Sequence, residues 1–167
     1  AGTLMLGANN VLADSSALTV NGGTFALGSY SDTVGAVTIS SNGGSITSTT
    51  GELTGSSYTF NNTSSATVSA ILAGSGNLEQ AGSGTTTLSG TNTYTGTTTI
   101  SAGTLSLTGT GSIANSSSII NNATFNISGT SSGASIISLA GNSSGSTVLG
   151  SKTLTITACA DTFAGVI

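Results

Sequence analysis

The amino-acid sequence predicts an all-β chain that folds as a right-handed parallel β-helix, a β-solenoid with roughly 20 residues per coil and about eight coils in its 167 residues. Three features of the sequence lead to this prediction. Short runs alternate apolar and polar residues, glycine and asparagine separate these runs, and similar runs recur about 20 residues apart.

The alternating runs are the predicted strands. An apolar residue occupies every second position, and most positions between hold Thr, Ser or Asn, which is the pattern of a strand with one buried face. Their β-branched residues also disfavour a helix. The runs lie at residues 3–6, 24–27, 37–39, 58–60, 85–88, 104–107 and 124–127.

Glycine and asparagine mark the predicted corners, because both residues tolerate a positive φ. Corresponding strand residues recur with a short period across these corners. Thr24 follows Thr3 by 21 residues, and two further threonines, Thr104 and Thr124, follow Thr85 in steps of 19 and 20. One such period is one coil of a solenoid. The corner sequences lie at residues 21–23, 41–44, 121–122 and 141–143.

The sequence also contains a repeat that is longer than one coil. Residues 1–6 resemble residues 102–107 at an offset of 101, and residues 69–72 resemble residues 164–167 at an offset of 95. We therefore predict that residues 1–167 are a single β-helix segment of a longer array, with a superrepeat of about 95–101 residues. Because the last residues show no polar capping sequence, we expect an excised or polymerised segment.

The composition limits what the chain can bind. Only 4% of residues are charged, Lys152 is the single basic residue, and the net charge is −4. Nucleic acids are disfavoured as partners because phosphate binding needs clustered Lys or Arg. The sequence has no run of 18 apolar residues, so we expect no membrane insertion by this segment. The first residues also lack the basic and apolar regions of a signal peptide.

The most regular part of the sequence is a motif core at residues 74–109. From Leu88 it reads Leu-Ser-Gly-x-Asn-x-Tyr-x-Gly-x-Thr-x-Ile-x-x-Gly-x-Leu. We expect Asn92 to form a ladder or to satisfy backbone groups of a turn, and Tyr94 to cover a corner with its hydroxyl group in solvent. The predicted core residues are Leu88, Ile100, Leu105 and Leu107, and the predicted corner residues are Gly90, Gly96 and Gly103.

This motif resembles the autotransporter-associated β-strand repeat, also called the passenger-associated transport repeat. The sequence departs from the family pattern at Gln80, where a lysine is common. The resemblance implies the passenger region of a Gram-negative type V secreted protein, which crosses the outer membrane unfolded through a β-barrel and folds outside as a β-helix. It implies no catalytic, cofactor-binding or metal-binding residue, and it places the chain at the bacterial cell surface.

The acidic residues are the candidates for catalysis. Asp14, Asp32 and Glu52 are spaced by 18 and 20 residues, so coil stacking could bring them to one side of the rod. A carbohydrate-active β-helix with paired carboxylates therefore remains an alternative to scattered solubilising groups. The other acidic residues, Glu79 and Asp161, have no acidic neighbour at short spacing.

Two further side chains, Lys152 and Cys159, could be chemically reactive, but we interpret both as structural. With no His in the sequence, a serine nucleophile would have only Lys152 as a base, and the alternation around Lys152 predicts a solvent-facing position. Cys159 is the single cysteine, so it cannot form an intramolecular disulfide. We expect it to be a small residue of the core.

These observations predict a non-enzymatic rod that is structural or adhesive, without cofactor or metal. We expect homotypic assembly end to end or side by side, or contact with host cells, neighbouring cells or glycans. The alternatives are the carbohydrate-active β-helix and an ice-binding solenoid. The ice-binding alternative arises from threonine runs at residues 85–87 and 97–99, but the threonines are concentrated in the motif and do not recur in every coil.

Overall fold

A computed structural model describes residues 1–158 and 161–167, and every regular element in these residues is a β-strand. The predicted all-β class is confirmed. The strands are β1 (Thr3–Met5), β2 (Leu18–Val20), β3 (Thr24–Gly28), β4 (Asp32–Ile39), β5 (Gly44–Ser48), β6 (Glu52–Phe60), β7 (Ala66–Val68), β8 (Ile71–Ala73), β9 (Leu78–Gln80), β10 (Thr85–Leu88), β11 (Thr98–Ile100), β12 (Thr104–Gly109), β13 (Ile119–Asn121), β14 (Thr124–Thr130), β15 (Ala134–Ile136), β16 (Leu139–Ala140), β17 (Ser146–Val148) and β18 (Leu154–Ile156).

The strands form a stack of coils in which each strand pairs in parallel with strands of neighbouring coils. The first sheet has the order β1-β3-β5-β7-β10-β12-β14-β17. The second sheet has the order β2-β4-β6-β9-β11-β13-β16, with β8 also paired to β6. The chain alternates between the two sheets, and it closes about eight coils of a β-solenoid, as the sequence predicts.

The register of the first sheet confirms the predicted period. Thr3 lies opposite Thr24, Thr85 opposite Thr104, and Thr104 opposite Thr124, which are the pairs that the sequence spacing indicates. Neighbouring strands in a sheet lie about 4.8 Å apart, so the eight strands of the first sheet span roughly 34 Å.

A short third side joins the two sheets. The first half of β6 pairs with β8, starting with Glu52 opposite Ile71, whereas its second half pairs with β9, starting with Tyr58 opposite Leu78. One continuous strand therefore bends around a corner of the coil. On the same side, β15 pairs with β18. This bend places the acidic residues of β4 and β6 on the third side.

The interior is a narrow column of stacked apolar side chains. One inward position of the first sheet is occupied in five successive coils by Phe25, Ile46, Val68, Leu88 and Leu107, all of which are buried. Each of these side chains is covered by its neighbours one coil above and below, so a chain of 4% aromatic residues still forms a dry core.

Some of the predicted boundaries differ from the structure. Asn121, predicted as a corner residue, is the last residue of β13 and is buried, because its amide group binds the next coil. Cys159 lies outside the described residues, and the superrepeat stays a prediction. In the described part of the chain no helix is long and apolar enough to cross a membrane.

Candidate functional site

Asn92 fastens a buried corner of the rod to the coils on either side. Its Oδ1 accepts the N–H of Leu72 at 3.0 Å, and its Nδ2 donates to the carbonyl oxygens of Gly90 and Ser112, each at 3.0 Å. Leu72 belongs to the preceding coil and Ser112 to the following one. The predicted role of Asn92 in satisfying backbone groups is confirmed, and this single amide group holds three coils together.

The prediction that the Tyr94 hydroxyl group lies in solvent is wrong. Only 1% of this side chain is exposed, and its hydroxyl group forms a hydrogen bond of 2.6 Å with Thr98 Oγ1. Thr98 Oγ1 is in turn 2.8 Å from Ser116 Oγ, which donates to the carbonyl oxygen of Gly96 at 2.9 Å. Because this chain of hydroxyl groups satisfies the phenol inside the rod, Tyr94 can be buried without losing its hydrogen bonds.

A second buried tyrosine, Tyr58, lies beside Tyr94, with ring centroids 6.0 Å apart. The Tyr58 hydroxyl group accepts the N–H of Gly55 at 2.7 Å and donates to the carbonyl oxygen of Ala73 at 2.6 Å. Burial raises the pKa of Tyr58 to about 12, although its bonds with Gly55 and Ala73 oppose this shift. Burial also raises the pKa of Tyr94, against the effect of its hydroxyl partners.

The raised pKa values predict loss of stability at alkaline pH. The phenol of an unfolded tyrosine has a pKa near 10, whereas the pKa of Tyr58 in the folded state is about 12. The folded state therefore favours the neutral phenol. Stability is therefore full below about pH 10 and falls as the pH rises towards about 12, by on the order of 3 kcal/mol for Tyr58. Urea unfolding across this pH range measures the loss. Tyr58→Phe should have a flatter profile than the parent, and an equal slope would contradict this assignment.

A second buried polar cluster surrounds Gln80, at the position where the family commonly has lysine. Gln80 Nε2 donates to the carbonyl oxygen of Gly82 at 2.8 Å, and Asn62 Oδ1 lies 3.5 Å away. Asn62 Oδ1 also accepts the Thr86 hydroxyl group at 2.9 Å, and Asn62 Nδ2 donates to Ser64 O at 2.6 Å. The amide nitrogen of Gln80 therefore lies among hydrogen-bond acceptors. The alternating sequence gives no sign that these polar residues face inward.

The motif glycines are required by the closeness of the preceding coil. A Cβ atom at Gly90 would lie 2.5 Å from the carbonyl oxygen of Ala70, and one at Gly96 would lie 2.3 Å from that of Gly76. Gly103 combines such a contact with a φ of +61°. The predicted corner positions are confirmed, and the predicted core residues Leu88, Ile100, Leu105 and Leu107 are all buried.

Comparison with known families gives a match in this part of the chain. The family model of the passenger-associated-transport-repeat matches residues 78–107. Residues 78–107 are therefore similar to this repeat, and we call this segment the passenger repeat. No curated protein and no solved structure gave a significant match to the chain. The passenger repeat and the β-solenoid fold together fit an autotransporter passenger, and the repeat implies secretion to the cell surface.

Outside the passenger repeat, two acidic residues that the sequence places one coil apart face opposite ways in the structure. Asp32 lies opposite Leu53 and points inward, whereas Glu52 is one residue earlier in β6 and is exposed. Asp32 Oδ2 accepts the backbone N–H groups of Val11 at 2.9 Å and Leu12 at 3.2 Å. Asp32 and Glu52 therefore lie on the same side of the rod, but a shift of one residue in register turns one carboxylate inward and the other outward.

The remaining charged residues are dispersed. Glu79 is exposed on the second sheet and accepts the hydroxyl group of Ser101 at 2.9 Å, and Asp161 accepts a hydrogen bond from Ser138. Lys152 follows a turn before β18, its side chain is half-buried, and its Nζ donates to the carbonyl oxygen of Ser131 at 3.2 Å at an exposed position. Among the described residues, no three His, Cys, Asp or Glu side chains are grouped as a metal site.

Proposed function

We propose that this chain is a structural and adhesive rod segment of an autotransporter passenger and that it has no catalytic role. The observation that carries the proposal is the use of polar side chains inside the passenger repeat. Asn92, Tyr94 and Thr98 are buried, and their hydrogen bonds go to the backbone and to each other. Side chains that hold coils together in this way are unavailable to a substrate.

The positions of the carboxylates favour this rod over a carbohydrate-active β-helix. Paired-carboxylate glycosidases need two carboxyl groups that face one gap at roughly 5 to 10 Å. Here Asp32 binds the backbone at Val11 and Leu12 inside the rod, and Glu52 faces solvent. The two carboxyl groups therefore face different environments.

Display on bacterial cells tests the proposal. The chain is joined to an outer-membrane β-barrel translocator in a Gram-negative host, with an epitope between the exposed residues Gly7 and Ala8. We expect antibody labelling of intact cells, faster settling or adhesion of these cells, and no release of reducing sugars from polysaccharides. The control is the same display of Gly103→Val, which should not fold.

Two outcomes would contradict the proposal. Release of reducing sugars that Glu52→Gln abolishes would support the carbohydrate-active alternative. Folded surface display that leaves settling and adhesion unchanged would remove the adhesive role.

A further inference from the structure

The outer surface of the first sheet differs from the rest of the rod in having no charge. None of its strands, β1, β3, β5, β7, β10, β12, β14 and β17, contains a charged residue. Its central outward positions form a column of small polar side chains in register. The column contains Thr24, Ser45, Thr67, Thr87, Ser106 and Asn126, of which Ser106 is only 8% exposed.

The acidic residues that give the chain its net charge of −4 all lie elsewhere. Glu79 is on the second sheet, and Asp161 contacts Ser138 beside that sheet. Glu52 begins β6 on the third side. Asp14 lies in a loop next to β4, because Ser16 two residues later accepts the N–H of Gly35. The rod therefore has one neutral side, and its surface carboxylates are on the others.

We propose that the outer surface of the first sheet binds a second copy of this chain, so that two rods lie side by side with their first sheets facing each other. This inference rests on the proposed rod function and names its partner. Two copies that approach through these surfaces keep their carboxylates on the far sides of both rods. At physiological salt, charges separated by more than about 8 Å are largely screened. Approach through the second sheets would instead bring the Glu79 side chains towards each other.

The side chains of this surface suit sheet-to-sheet contact. They are short, so two sheets can approach to about the 10 Å spacing of packed sheets. Their hydroxyl groups can bond to like groups, as Ser45 Oγ and Thr67 Oγ1 already do at 2.8 Å between neighbouring coils. Outward apolar side chains are exposed at both ends of the sheet, with Met5 at 68% and Val148 at 39%.

The area of the surface sets the expected strength. The eight strands share a width of about three residues, or roughly 10 Å, which gives roughly 400 Å² per copy, about half of what a standard protein interface buries on each partner. Association of this segment should therefore be weak, at hundreds of micromolar. In a longer rod, further coils would add contacts to one already formed, so the association should strengthen with length.

Two double variants with equal charge test the surface. Thr67→Lys with Thr87→Lys places two cations on the first sheet, and Thr59→Lys with Thr99→Lys places two on the outward column of the second sheet. Each variant changes the net charge from −4 to −2, so only the position of the charge differs. Sedimentation velocity on the parent chain up to about 1 mM should show reversible dimers. The first variant should weaken association at least tenfold, and the second should preserve or strengthen it.

A second measurement keeps the test independent of variant folding. In a Cys159→Ser background, a spin label at Thr87→Cys should show dipolar coupling between copies, and a label at Thr99→Cys should show none. Equal effects of the two double variants, a monomeric parent chain at about 1 mM, end-to-end contacts, or retention by a neutral polysaccharide without dimers would each overturn the inference. If cells still display the rod and show faster settling or adhesion in any of these cases, the proposed function stands and only the partner assignment fails.

Discussion

Alanine at Gly103 is expected to destabilise the rod far more than alanine at Gly109, although the two glycines have the same backbone conformation, with φ values of +61° and +58°. Their surroundings differ. A Cβ atom at Gly103 would lie 2.2 Å from the carbonyl oxygen of Gly84 in the preceding coil, whereas a Cβ atom at Gly109 would have no atom within 4 Å. Gly109→Ala therefore adds only the strain of a left-handed alanine, about 1 to 2 kcal/mol.

Gly103→Ala adds this strain and also pushes two hydrogen-bonded coils apart. Because the atom in contact is a backbone oxygen, no rotamer change can relieve the overlap, and we expect a total loss of more than about 3 kcal/mol. Gly96→Ala separates the two effects. Gly96 does not have a left-handed φ, but its Cβ atom would lie 2.3 Å from the carbonyl oxygen of Gly76.

Urea unfolding followed by far-ultraviolet circular dichroism measures all three variants. The expected order of unfolding midpoints is parent, Gly109→Ala, and then Gly96→Ala and Gly103→Ala well below both. If Gly103→Ala and Gly109→Ala had equal midpoints, coil contact would not be the reason that glycine occupies position 103.

The alternating pattern of the sequence predicts some features of the solenoid and leaves others out. Register could be predicted, because Thr85 and Thr104 begin similar strands and their spacing is one coil. Core leucines such as Leu88 and Leu105 could be predicted for the same reason. In both cases the relevant signal is local and repeats along the chain.

Polar residues that face inward could not be predicted from the same pattern. Tyr94 is satisfied by Thr98 and, through it, by Ser116, a residue of the following coil that no local feature connects to it. The inward position of Asp32 could not be predicted for a related reason. Its spacing from Glu52 equals one coil, but the register differs by one residue. Since one residue decides whether a side chain faces inward or outward, the spacing of acidic residues alone cannot define a site.

Asn92→Ala is expected to have the largest effect of any change of a polar side chain in the passenger repeat. In a corner where Asn92 is only 2% exposed, the substitution removes the side-chain acceptor of the Leu72 N–H and one of the two donors to each of the Gly90 and Ser112 carbonyl oxygens. A buried N–H without an acceptor costs about 1 to 3 kcal/mol and each lost hydrogen bond about 1 kcal/mol, so we expect a loss of about 4 kcal/mol. Asn142→Ala is the matched control, because its Oδ1 accepts the N–H of Ser144 at 2.8 Å at an exposed position. There water can replace the side chain, and the loss should stay within about 0.5 kcal/mol.

Asn92→Asp distinguishes the two halves of this amide group. Aspartate keeps an oxygen for the Leu72 N–H, but it has no donor for the carbonyl oxygens of Gly90 and Ser112. We therefore expect it to be no more stable than the alanine variant at neutral pH, while the Leu72 amide stays protected from hydrogen exchange. In Asn92→Ala that same amide should exchange faster than in the parent chain. If the amide stayed protected in both variants, the backbone of the neighbouring coils, and not Asn92, would hold this corner of the rod closed.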